Sequence, residues 1–286
     1  MEGARIPSRS RAGEALAGEG RAGEGRAGEG RAGEVARDEL ATYALRLGDD
    51  ALVASQRLGG WIARAPQLEE DVALANIALD LLGQARALLT YAGEVEGAGR
   101  GEDDLAYLRE ERDFLNLQLP ELPNGDFADT MAQLLCFSTW QLALYQRLTG
   151  SVDAQLAAIA GKAVKEVTYH RDHATQWVVR LGDGTDESRR RMQDALDRIW
   201  PYVPELFRSD ELEQRLANAG VAVDTSGLRG EWDAYVDAVL AEATLAAPEG
   251  AAELPAGGRR GIHTESFGYL VAEMQHLHRS HPGATW

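Results

Sequence analysis

From about residue 38 onward, apolar residues recur at three- and four-residue spacing, the period of an amphipathic helix. They do so over 41–63, 69–92, 127–149, 153–181, 187–206, 228–246 and 265–280. Between these runs stand AGEVEGAGRGEDD, LPELPNGD, LGDGTD, NAGVAVDTSG and APEGAAELPAGGRRG, in which Gly, Pro and Asp interrupt helices. Alternation of period two is confined to the short GVAVD. The four longest segments are long enough to pair as two antiparallel hairpins. The pattern therefore predicts an all-α chain, an antiparallel four-helix bundle core with additional flanking helices.

Ahead of the first helix, residues 11–34 read RAGEALAGEGRAGEGRAGEGRAGE. A repeat of Arg, Ala, Gly and Glu has almost no side chain to bury and cannot offset its conformational entropy. Residues 1–37 are expected to be a disordered low-complexity tail and 38–286 a single helical domain. A second reading of the tract is that translation starts later, with Val35 encoded by a GUG start.

Composition narrows the function classes. The chain has 286 residues, 44% hydrophobic, and a formal net charge of −17, a surface that repels nucleic acid and anionic membranes. No run approaches about 18 uninterrupted apolar residues, and the N-terminus lacks the layout of a secretory signal. The single cysteine, Cys136, lies in the apolar stretch MAQLLCFSTW and reads as a core residue. With no internal disulfide available, the expected compartment is the reducing cytoplasm.

Candidate chemistry follows from where each long helix aims into the bundle. On the first, Asp50 lies among Leu47, Ala54, Leu58 and Trp61. On the second, Asp80 shares a stripe with Asn76, Ile77 and Gln84. On the third, the matching level falls at Phe137, flanked by Leu134, Gln141 and Leu144. On the fourth, Glu166 sits with Lys162, Tyr169, His170 and His173. Asp50 and Asp80 are 30 residues apart, Phe137 and Glu166 29, as two antiparallel hairpins require.

A ferritin-like di-iron bundle takes one Glu from each of two helices and a Glu-x-x-His pair from each of the other two. The i, i+3 spacing puts both ligands on one helix face. Here Gly83 stands three residues after Asp80, Tyr169 stands three after Glu166, and Phe137 replaces the fourth carboxylate. The expectation is a ferritin-like fold with a degenerate site at Asp50, Asp80, Gly83, Phe137, Glu166 and Tyr169, holding no metal and catalysing nothing itself. Carboxylates buried without a metal must be protonated or matched with a cation. Lys162, one turn before Glu166, is a candidate for that cation, with Gln84, Asn76 and Tyr169 as hydrogen-bond partners; Lys162 reads equally well as a solvated surface residue.

Glu166, His170 and His173 fall at i, i+4 and i+7, so an atypical metal site built from them and Asp80 is the alternative. A literal Glu-x-x-His also occurs at Glu273 and His276, alone in the last segment. No phosphate loop is present, since no Gly-Lys-Ser/Thr ends the glycine-rich tract. The irregular RDFLNLQLPELPNGDF mixes apolar and hydrogen-bonding residues where a ligand or partner could rest.

Several runs together resemble a known family. YALRLGDDALVASQRLGGW, VALANIALDLLGQAR, LPNGDFADT, AGKAVKEVTYH and the ending GRRGIHTESFGYLVAEMQHLHRSHPGATW are similar to the structural, C-type subunits of phenylacetyl-coenzyme A epoxidases. The resemblance runs from about Leu40 to Trp286. It implies a ferritin-like subunit without a working metal centre, joined in a hetero-oligomer to the catalytic A-type subunit, which carries the di-iron site. It also implies a possible contact with phenylacetyl-CoA at Asp113, Phe114, Leu115 and Asn116 and at Gln214, Arg215 and Leu216.

Overall fold

The computed structural model describes residues 24–248 and 256–284, with side chains from Arg37 onward. Residues 1–23 of the tail expected to be disordered lie outside the described residues. From Arg37 onward the described residues form one compact unit. Four long helices make its frame: α1 (Glu24–Gly59), α2 (Leu68–Glu96), α4 (Phe127–Leu148) and α5 (Ala154–Gly182). Shorter helices surround them: α3 (Glu102–Tyr107), α6 (Asp186–Ile199), α7 (Glu211–Asn218), α8 (Arg229–Glu242) and α9 (Phe267–Ser280). No strand occurs among the described residues, GVAVD included.

Side-chain contacts fix the order α1–α2–α5–α4 around the bundle, each neighbour antiparallel. Ser55 Oγ donates to the Ala78 carbonyl at 2.7 Å, and Gly48 faces Leu89, joining α1 to α2. Gln84 meets Glu166 and Asp80 meets His170, joining α2 to α5. Trp61, just past α1, donates from its indole nitrogen to Thr130 Oγ1 near the start of α4 at 2.9 Å. The ferritin-like bundle is thus what the periodicity predicts.

Burial follows the helical period. On α5 the buried side is Leu156, Ile159, Ala160, Ala163, Val167, His170, Ala174 and Val178, one stripe of i+3 and i+4 steps. α4 is different. Eighteen of its 22 residues are buried, because α5, α6 and α8 all pack on it. A helix covered on every side belongs at the centre of a domain. α2 is the one described helix long and apolar enough by composition to cross a membrane; 44% of that stretch is buried in the fold, and Leu68, Val72 and Leu79 face out.

Two departures from the expected elements have local causes. Periodicity over 187–206 predicts one helix, but Pro201 and Pro204 lack the amide hydrogens an α-helix needs. α6 ends at Ile199, and a 3-10 segment, Trp200–Phe207, completes the run. α3 and α7, six and eight residues long, are too short for a period to declare them.

α4 starts at a full capping box. Asp126 accepts from the amides of Ala128 (2.8 Å) and Asp129 (3.2 Å), while Asp129 accepts from the Asp126 amide at 2.9 Å. Asp129 also holds Arg198 of α6 at 2.8 Å, so the cap ties a flanking helix to the bundle. Asp126→Ala should cost about 1 kcal/mol. Urea unfolding measures it, and a loss below about 0.3 kcal/mol would remove the cap from the account.

Candidate functional site

The three carboxylates expected to share one interior instead diverge. Asp50 is buried on α1 and turns toward the irregular segment and the chain's C-terminal part. Its Oδ1 accepts the Leu117 amide at 2.8 Å, and Arg259 grips it through Nη1 (3.1 Å) and Nη2 (2.8 Å). Asp80 lies at the seam between α2 and α5, 3.1 Å from His170 Nε2. Glu166 accepts from Gln84 Nε2 at 3.0 Å, and Gln84 in turn accepts from Gln141 Nε2 at 3.3 Å. The residue of α4 that reaches the level of Glu166 is therefore Gln141, not Phe137. Phe137, one turn earlier, is buried beside Ala54, Leu58 and Leu134 on the side facing α1.

Other expected positions move as well. Tyr169 is 49% exposed and does not aim into the bundle; its ring lies 5.9 Å from that of His173. Asn76 is exposed on α2 and joins no interior network. The Lys162 side chain is 74% exposed, with Nζ 3.5 Å from Glu166 Oε1, so the surface reading of this lysine is the one the geometry favours. Gly83 lines an open slot between α2 and α5, and a Cβ there would touch nothing within 4 Å.

The cation that spacing could not find is Arg259. Its side chain is only 12% exposed, and its guanidinium also lies 3.7 Å from Glu213. The same group donates to the carbonyls of Arg46 (3.1 Å) and Leu115 (2.9 Å). Gly258 and Gly261 make its approach possible. A Cβ on Gly258 would come 2.0 Å from the Asn116 carbonyl oxygen, and one on Gly261 would come 2.1 Å from that of Arg112. Gly261 also has φ +69°, where glycine is the least strained residue. GRRG is thus a motif built for close backbone approach around a largely enclosed guanidinium.

A second pair lies beside the first. Asp49 is fully buried and held by the Arg109 guanidinium, with Nη1 at 2.9 Å from Oδ2; it also accepts the Leu115 amide at 2.8 Å. Consecutive α1 carboxylates thus catch alternate amides of one extended segment. Arg46 pairs with Asp210 and, at 3.0 Å, with Glu213 at the start of α7. Glu205 accepts the amides of Gln118 (2.7 Å), Gly257 (3.0 Å) and Gly258 (2.9 Å). Glu121 accepts from Asn116 Nδ2 at 2.9 Å and lies 2.8 Å from His263 Nδ1. The interior charge of this protein fastens residues 113–121 and 257–266 to the bundle.

Charge states follow from burial. Burial pushes the Asp50 carboxyl up to about 6, against the pull of Arg259 and the Leu117 amide. Burial also raises Glu213, with Arg259 and Arg46 opposing it. The phenol of Tyr145 is pushed up first by burial, then by Asp50 and, more weakly, Glu166. The Cys136 thiol is pushed up to about 12 by burial alone, which makes it inert. At the α2–α5 seam, burial lowers both His170 and His173, with Asp80 and Glu70 as the opposing partners. His173 Nε2 is 3.1 Å from Glu70 Oε2 but off the line of a hydrogen bond.

These residues do not fit a di-iron pair. Amides of Gln84 and Gln141 occupy the level of Glu166, Asp50 already carries a guanidinium, and His170, which feels the charges of both Asp80 and Glu166, is hydrogen-bonded to Asp80. Among the described residues, no group of three or more His, Cys, Asp or Glu is placed to hold a metal ion. The alternative set of Asp80, Glu166, His170 and His173 is split between Gln84, the Asp80–His170 pair and Glu70. Glu273 and His276 are both exposed on α9.

The segments that the resemblance links to an acyl-CoA meet across Arg259, which bonds the Leu115 carbonyl on one side and faces Glu213 on the other. Their side chains divide. Phe114, Asn116 and Leu216 are buried, Phe114 packing edge-on against Phe267 at 5.7 Å. Asp113, Leu115, Gln214 and Arg215 reach the surface, with Arg215 on Glu39 at 2.7 Å.

Two sets of variants test this arrangement. Arg259→Met strands buried Asp50 and should cost roughly 3–5 kcal/mol, part of which Asp50→Asn restores in the double variant. Lys162→Met should change stability by about 1 kcal/mol or less. Urea unfolding of these variants decides, and equal losses from Arg259→Met and Lys162→Met would overturn the assignment. His170 and His173 are held below the unfolded value of about 6.5, so their contribution is present above that pH. It is lost as pH falls through the lowered folded values. Unfolding midpoints at pH 7 and 5 should therefore differ less in His170→Gln than in the wild type.

Comparison with known proteins agrees with this architecture. A family model for phenylacetic acid catabolic proteins matches residues 27–286. The C subunit of the 1,2-phenylacetyl-CoA epoxidase of Escherichia coli (strain K12) is 51% identical over 249 residues, which is 87% of this chain and 100% of that protein. The chain that folds around Arg259 in this way belongs to the phenylacetic acid catabolic protein family.

Proposed function

We propose that this chain is the structural, non-catalytic subunit of a multicomponent phenylacetyl-CoA epoxidase. It supports a separate ferritin-like subunit that carries the di-iron site and oxidises the aromatic ring. The observation that carries the reading is the fate of the interior carboxylates. A guanidinium, an imidazole and a glutamine amide each take one, and none is left converging on a point where an ion could sit. A fold with its ligand directions used up this way keeps the shape of a di-iron bundle and loses its chemistry. Sequence similarity to the C subunit of an epoxidase supplies the substrate class. If phenylacetyl-CoA touches this chain, Asp113, Leu115, Gln214 and Arg215 are the residues that offer surface to it. The proposed setting is the cytoplasm.

Metal analysis and reconstitution test the proposal together. The isolated chain should hold no stoichiometric iron, manganese or zinc and should not oxygenate phenylacetyl-CoA with any electron donor. Added to the di-iron subunit of such an epoxidase, it should form a stable complex and raise its turnover. A stoichiometric metal in the isolated chain, or turnover without a partner, would favour an atypical metal enzyme instead.

A further inference from the structure

The slot between α2 and α5 stands at the vacated ligand positions and opens to the surface. It encloses about 220 Å³, with Gly83, Ala87, Ala158 and Ile159 as apolar walls. At its depth lies Glu166, whose side chain is 18% exposed; at its mouth lies the exposed Lys162. Small-molecule sites run about 300–1,000 Å³, so the slot is too small for an acyl-CoA and suits one inserted side chain.

The chemistry of the occupant follows from the carboxylate of Glu166. A carboxylate has about four acceptor sites. Among the described residues, Glu166 accepts one hydrogen bond, from Gln84 to Oε2; Oε1 has only Lys162 Nζ at 3.5 Å. Apolar walls leading to a carboxylate match an aliphatic stem ending in a cation. Arginine fits better than lysine, because its guanidinium is weakly hydrated and binds carboxylates in a planar fork. Lys162 can swing into water without leaving a buried group behind. On α2, Leu79 lies exposed one turn before Gly83, and Val72 and Leu68 continue the same exposed line toward the start of the helix. An inserted side chain therefore arrives beside an apolar face that a partner helix can cover.

We propose that this slot receives an arginine from a partner subunit, seated on Glu166, and so fixes where the partner docks. The inference rests on the structural-subunit reading and adds the contact through which the support is given. Gly83→Leu fills the slot without a clash at Cβ, and Glu166→Gln removes the charge while keeping the Gln84 neighbour. Each should weaken the complex with the di-iron subunit at least tenfold in Kd, with the Tm of the isolated variant unchanged. Lys162→Met should leave Kd equal or tighter. An arginine-to-alanine scan of the partner should yield one variant whose loss is not additive with Glu166→Gln. Wild-type affinity in both slot variants, or no partner arginine coupled to Glu166, overturns the slot proposal alone. No complex with the wild-type chain overturns the structural-subunit reading, and this inference with it.

Discussion

Two neighbouring carboxylates on one helix, Asp49 and Asp50, hold together the parts of this protein that are not helical. Each is buried, each is matched by a guanidinium from a distant segment, and each accepts a backbone amide from residues 115–117. A buried charge costs several kcal/mol unless it is paired and hydrogen-bonded. The pairs satisfy that demand, and by doing so they determine where residues 109–121 and 257–266 must lie. Hydrophobic burial assembles the four long helices; these ion pairs decide how the rest of the chain closes over one side of them.

The helices were legible in the sequence because helix burial has a period, and so was which residue stands at each ligand spacing, Gly83 three after Asp80 and Tyr169 three after Glu166. The partners of the carboxylates were not legible. Spacing tells which residues share a helix face, but not which neighbour that face meets. On α5 the buried stripe runs through Ala163, Val167 and His170; Glu166 sits at its edge and Tyr169 beyond it, which is why Tyr169 points out. On α4 almost every residue is buried, so an apolar stripe carries no phase, and Phe137 was indistinguishable from Gln141. Arg259 offered one signal, the glycines of GRRG, whose meaning needs the carbonyls of Asn116 and Arg112 beside them.

Where a di-iron bundle converges its acids, this one disperses them. Asp50 faces the C-terminal segment, Asp80 faces a buried neutral imidazole, and Glu166 faces the amide of Gln84. Dispersal keeps these three acids from crowding one point, and at the α2–α5 seam it brings buried polarity close to solvent. The same seam carries exposed leucine and valine side chains on α2. Apolar surface beside half-buried charge is a usual composition for an interface core and its rim.

The Asp50–Arg259 pair spans 209 residues of chain. Contacts of such long separation form late, because the loop they close must first lose its entropy. During synthesis the four long helices can assemble while Asp50 still lacks its guanidinium, since Arg259 is made after all four of them. Until that segment emerges, the nascent chain carries an uncompensated acid in its core and an uncovered flank over the bundle. Arrival of the Arg259 segment is therefore also the step that closes the fold and makes it durable against proteases.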